Sequence, residues 1–229
     1  MRKIAKIDVK SNYVIKSIQY DGVAKIGEPI GVINKIVQSD IDELFLVNIV
    51  STLYGYDNFR NILDKICSNI FLPITVGGGI RSIEDCISYF ELGADKISIN
   101  SNLFTNKELL GNASKKFGSQ SVSVLIQAKK LNNEWYAFKD MARHNTGVKV
   151  KDWILQCAYE GAGEIILVSV DDDGLERGLN KELMEFSKYV DIPVVIGGGF
   201  NYEKDNKIKD NFKKLSGISF SSYLYNNKL

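Results

Sequence analysis

Two short stretches carry the residue types that hold a phosphate. Gly77, Gly78 and Gly79 follow one apolar run, and Gly197, Gly198 and Gly199 follow another. Each is answered by a small polar pair at the end of the next run, Asn100-Ser101 in the first case and Ser221-Ser222 in the second, 121 residues apart. Glycines let backbone N–H groups close around an anion, and amides and hydroxyls add donors. Such glycines also turn tight loops, but a triple glycine paired twice with a polar end points to two phosphate cradles and a long substrate with two phosphate-like ends. Asp8 ends a third run in the position of a general acid or base. Gln127, which occupies the corresponding place in the second half, orients or polarises by hydrogen bonds but cannot titrate. Asp171-Asp172-Asp173-Gly174 forms an acidic turn, which also reads as a solvated loop.

The elements that position these residues alternate. Runs rich in Val, Ile and Leu cover residues 4–9, 43–49, 73–76, 96–100, 121–127, 164–170, 193–196 and 217–221. Amphipathic stretches cover 30–39, 58–69, 83–92, 107–117, 151–160, 181–189 and 204–215. Strands apolar on both faces and alternating with helices mean parallel βα units. Eight of them suit a closed (β/α)8 barrel in one domain spanning 1–229, with a doubly wound open sheet as the alternative. Function then gathers on the loops after the strand ends. Alternation puts Ile4, Lys6 and Asp8 on one inward face, and Ser123, Leu125 and Gln127 on another.

An internal repeat favours the barrel. LPITVGGGI at 72–80 returns as IPVVIGGGF at 192–200, AKIDVK at 5–10 as VLIQAK at 124–129, and LFLVNI at 44–49 as IILVSV at 165–170. The offsets are 120, 119 and 121 residues, so the chain is two half-barrels. After the eighth strand only 222–229 remain, and the outer helix that would cover strands eight and one looks missing.

Composition bounds the rest. The 229 residues are 45% hydrophobic and 25% charged, with 29 Lys+Arg against 28 Asp+Glu, which disfavours nucleic-acid and polybasic membrane binding. No apolar run is long enough to span a bilayer, and the basic start meets Asp8 too soon for a signal peptide. Cys67, Cys86 and Cys157 are far apart, so a reducing cytoplasm is expected. His144 lacks ligand partners at metal spacing, and no GxGxxG opens a helix, so neither a metal nor a nucleotide cofactor is expected. Trp135 and Tyr136 read as part of a strand-like flap.

These motifs together resemble the cyclase subunit of imidazole glycerol phosphate synthase, the HisF family. The resemblance rests on DVK at 8–10, DELFLVNI at 42–49, TVGGGI at 75–80, GADKISIN at 93–100, FGSQSV at 117–122, NTG at 145–147 and GAGEIILVSVDDDG at 161–174. It implies a glutaminase partner docked at the barrel bottom, ammonia passing through the core, and cyclisation of a bisphosphorylated intermediate at the top. The family's two aspartates fall on Asp8 and Gln127, so the second is absent here. Another family aspartate falls on Asn48, and residue 175 is Leu where the family usually places Thr. Lys16 matches the family's mobile-loop lysine. Gly78, Gly79, Asn100 and Ser101 match one phosphate side, and Asp173, Gly174, Gly198, Gly199, Ser221 and Ser222 the other. The charged gate to the ammonia channel falls on Arg2, Glu43, Lys96 and Glu164. Lys6 stands where the family has a small or thiol side chain, and a lysine in a dry core needs a counter-charge, for which Asp8 is at hand.

The ammonia side is thus kept and the acid–base side altered. That asymmetry favours a reassigned HisF-like copy for surface-glycan sugar amidation. The alternatives are the cyclase of histidine biosynthesis and a non-catalytic scaffold that activates a glutaminase.

Overall fold

The computed structural model describes residues 1–49, 58–205, 208 and 214–227. Eight parallel strands close on themselves: β1 (Arg2–Lys10), β4 (Glu43–Asn48), β5 (Ile74–Gly77), β6 (Lys96–Ile99), β7 (Val122–Leu131), β10 (Glu164–Ser169), β11 (Val194–Gly197) and β12 (Leu215–Phe220). Each pairs with the next, and β12 returns to β1 through Arg2 opposite Gly217 and Ile4 opposite Ser219. This is the closed (β/α)8 barrel, and the open sheet is excluded.

Around it lie α1 (Pro29–Ile36), α2 (Phe59–Asn69), α3 (Ile83–Glu91), α4 (Glu108–Phe117), α5 (Val150–Glu160) and the short α6 (Lys181–Glu185), which runs on into a 3-10 turn at Phe186–Tyr189. Each packs an apolar stripe inward. On α2, Phe59, Ile62, Leu63 and Ile66 fall at helical spacing and are buried, each removal from water being worth roughly 1.5–3 kcal/mol. Helix starts are marked locally. Ser82 and Asp85 form a capping box on α3, and Glu28 caps α1 ahead of Pro29. The stretch 204–215 overlaps α7 (Tyr202–Asp205), and most of it lies outside the described residues.

The core has two parts. Ala5, Ile7 and Val9 face the helices, whereas Ile4 faces the barrel interior with Phe45, Val47, Leu125, Ile166, Val168 and Val195. The alternation read from the sequence on strands one and five is therefore the observed one.

Two antiparallel hairpins stand on the mouth, one in each half. The first is β2 (Tyr13–Ile18) with β3 (Asp21–Gly27), extending β1; the second is β8 (Glu134–Lys139) with β9 (His144–Lys149), extending β7. The flap expected around Trp135 is the second. The first went unread. The chain after β12 is not bare, since Ser222–Asn227 form a short helix, α8. Six residues do not cover two strands, however. The outer face of β1 and β12 keeps a groove of about 530 Å³, floored by Lys3, Ile218 and Phe220 and walled by Met1, Ile41, Tyr202 and Leu224.

Candidate active site

The glycine loops come together on one rim, as their places after β5 and β11 require. Gly78 and Gly79 take φ of +92° and +72°, and Gly198 and Gly199 take +86° and +84°, the left-handed region that glycine enters freely. The two halves are built alike. A Cβ on Gly78 would lie 2.0 Å from the Asn48 carbonyl oxygen, and one on Gly198 would lie 2.3 Å from that of Ser169. Both loops thus need glycine for space as well as for φ.

Each loop borders a small cavity. The first, about 60 Å³, is lined by Gly78, Gly79, Ser98, Asn100, Ser101 and Gln127 among others. The second, about 20 Å³, is lined by Lys6, Asp173, Gly174, Gly199, Ser219 and Ser222 among others. Gly198 and Ser221 line the second as well. Such volumes hold water and not yet a phosphate ester. Polar atoms wait in both. The hydroxyls of Ser98 and Ser219 and the Asn100 side-chain oxygen are buried with no hydrogen-bond partner among the described residues. Buried polar atoms are rarely left so. Ser98 and Ser219 are 121 residues apart, on the inward face two residues before Asn100 and Ser221. That spacing is present in the sequence, where a serine inside an apolar run carries no signal of its own. Ser101 accepts a hydrogen bond from the Asp140 N–H at 2.9 Å, leaving its own hydrogen for a ligand.

The centre of the mouth departs from a simple acid–base pair. Asp8 and Gln127 sit on β1 and β7, opposite one another in the strand order, and both are buried. Asp8 is not free. Lys6 Nζ donates to both its carboxylate oxygens at 2.6 Å. Burial pulls the Lys6 pKa down, but Asp8, with Tyr20 and Asp173 nearby, outweighs it and holds the lysine above its ordinary value. The counter-charge expected for Lys6 is in place. Gln127 is also held, accepting the Ala142 N–H at 2.9 Å. Tyr20, from the β2–β3 turn, packs into the barrel interior beside Met141 and Ala142 from the β8–β9 turn. No sequence signal marked Tyr20.

The acidic turn after β10 divides its work. Asp171 accepts the Lys130 N–H at 2.8 Å, and Asp172 accepts Ser169 Oγ at 2.6 Å and Asn180 Nδ2 at 2.9 Å. These two fix the loop. Asp173 faces the second cavity, and burial raises its carboxyl to about 6, against the pull of Lys6. The Asp173 carbonyl accepts the Gln19 N–H, which ties the first hairpin down. Lys16 reaches α8, donating to Asn226 Oδ1 at 3.0 Å, and its charge is felt by Asp173. His144 lies beside Asp140 on the surface, 3.2 Å away. No group of three or more His, Cys, Asp or Glu among the described residues is arranged to hold a metal.

At the opposite rim Arg2, Glu43, Lys96 and Glu164 are the first residues of their strands. They form a closed cycle. Arg2 pairs with Glu43 at 2.8 Å and with Glu164, while Lys96 lies 3.4 Å from Glu43 and 3.6 Å from Glu164. Thr75 donates to Glu43 at 2.7 Å from the layer above. Phe71, in the loop before β5 on this same rim, is 98% exposed.

The sequence pattern described as histidine biosynthesis protein matches residues 3–229. An imidazole glycerol phosphate synthase subunit HisF from Legionella pneumophila is 38% identical over 201 residues, covering 87% of this chain and 95% of that protein. Proteins of the same name from Staphylococcus carnosus and Campylobacter concisus are 35% identical, the second over 93% of this chain and 84% of its own length. The chain belongs to the HisF family. As a HisF-family barrel it has the glycine loops at the mouth and the charged ring at the base. No helix among its described residues is long and apolar enough to cross a membrane.

Proposed function

We propose that this protein is the ammonia-using barrel subunit of an imidazole glycerol phosphate synthase, acting on a substrate with two phosphate groups and receiving ammonia from a glutaminase docked against the Arg2–Glu43–Lys96–Glu164 rim. The observation that carries the reading is the pair of cradles. Two glycine loops of the same construction, each with an orphaned buried serine hydroxyl, stand on one rim at repeat-equivalent places. One phosphate per half is what that duplication accommodates. The four-charge ring at the far rim, with an exposed phenylalanine beside it, suits a docking face. The relatives' names carry synthase chemistry and none carries sugar amidation, so the cyclase reading moves ahead of the glycan reading on which the residues alone had leaned.

The second reading, a reassigned ammonia-using reaction, keeps one specific observation in its favour. Lys6 occupies Asp8 and Gln127 replaces a carboxyl, so these two positions as they stand do not make a free acid–base pair. The test is turnover of the bisphosphorylated aminoimidazole-carboxamide ribonucleotide intermediate with ammonium salt. The cyclase reading expects slow turnover by the natural protein and a gain in Gln127→Asp, since a general acid is worth ~10²–10⁴-fold. No turnover by either protein rejects it and leaves the reassigned reaction. In complex with the glutaminase, Lys96→Ala is expected to lower glutamine-dependent turnover and leave ammonia-dependent turnover unchanged.

A further inference from the structure

We propose that Lys6 is a movable anion anchor, which leaves Asp8 for the substrate phosphate that enters the second-half cradle and so uncovers Asp8 as a base. The inference rests on reading the glycine loops as phosphate cradles, and adds to it a residue and an order of events. Lys6 Nζ touches both oxygens of Asp8 at 2.6 Å, and the same side chain forms a wall of the cavity bordered by Gly199, Ser219 and Ser222. One side chain thus borders two anion positions, the Asp8 carboxylate that its ammonium holds and the cradle beside it.

Charge favours the exchange. The second cavity is lined by two carboxylates, Asp173 and Glu176, and among the described residues Lys6 is the single lysine or arginine in its lining. A phosphate dianion entering there is repelled by both carboxylates, with Lys16 only reaching Asp173 from outside the lining, and is held better when Lys6 turns toward it. Lysine suits the task, as a point charge on a flexible four-carbon stem. The first-half cavity has no such feature, because its lining holds no lysine or arginine and its donors are neutral. The orphaned Ser219 hydroxyl, buried in the wall that Lys6 shares, supplies a neutral donor to the same anion. Release of Asp8 then follows binding, so the carboxylate becomes available only when a phosphate is seated.

The experiment is an NMR titration of the full chain with inorganic phosphate, following the Gly199 amide for the second cradle and the Gly79 amide for the first. Asp8→Asn removes the competitor for Lys6 and is expected to tighten phosphate at Gly199 about threefold or more, because the carboxylate that holds the ammonium is withdrawn. The charge-balanced double variant Lys6→Met/Asp8→Asn, which removes both members of the buried pair together, is expected to weaken it about tenfold, as loss of a charge-assisted contact does. The Gly79 response stays unchanged in both. Wild-type affinity at Gly199 in the double variant, or no tightening in Asp8→Asn, overturns the anchor while leaving the cradles standing. Silence of both amides in the natural protein overturns the cradle reading, and the anchor with it.

Discussion

A buried lysine held by a single carboxylate has a consequence for stability that differs by which partner is removed. Lys6→Met leaves Asp8 as an uncompensated charge in the barrel interior, and a loss of about 3–5 kcal/mol is expected in urea unfolding. The Lys6→Met/Asp8→Asn pair is expected to recover most of it, since both charges go together. Asp173 gives a pH dependence of known sign. Its folded carboxyl titrates near 6, above the ordinary value of 3.8, so the folded protein binds the extra proton between these limits. The stability contributed by Asp173 therefore falls as pH rises from about 4 to about 6 and is level above. The groups that set it are Lys6, Asp8 and Lys16, with Tyr20 and Tyr225 also within reach of its charge. Asp173→Asn removes the slope, and at pH 7 it is expected to gain on the order of 2 kcal/mol, read from unfolding midpoints across that pH range. Most of these residues were legible singly. Asp8, Gln127 and the glycines announce themselves by type and place. The Lys6–Asp8 pairing was legible too, since the two lie two residues apart on one strand face. What the sequence could not show is that Tyr20 and Asp173 close in around that pair, because both come from turns that only the folded barrel brings over it.

At the scale of elements, the βα alternation was legible because the barrel strands are short, largely buried runs rich in Val, Ile and Leu, and β4 and β10 are buried along their whole length. The β2–β3 hairpin was not, because β3 is exposed over most of its residues and shows no periodic apolar face. It is held through β2, which pairs with β1 and buries Val14 and Ile15, and at the tip through Tyr20 and the tie between Gln19 and Asp173, and the tip contacts leave no pattern along the chain. The glycine loops can be tested directly. Gly78→Ala drives a Cβ into the Asn48 carbonyl at a φ of +92°, and a loss of about 3 kcal/mol or more is expected. Gly22→Ala, at a φ of +56° in the β2–β3 turn with nothing within 4 Å, is expected to cost about 1 kcal/mol. Thermal unfolding of the two variants side by side separates crowding from backbone preference.

For the molecule as a whole, the duplicated half-barrel was readable from three concordant offsets, and closure of β12 onto β1 completes it. The ring at the base was readable only through resemblance. Four charges scattered over 162 residues of chain carry no local signal, and the barrel's geometry alone makes them neighbours. That ring has two cations and two anions in alternation, within a chain of formal net charge +1. A field from such a closed set dies away much faster with distance than that of a net charge, so the ring adds almost nothing to any electrostatic pull this face exerts into solvent. An approaching subunit would therefore gain little steering or salt dependence from these four charges and would feel them only after contact, in how long it stays.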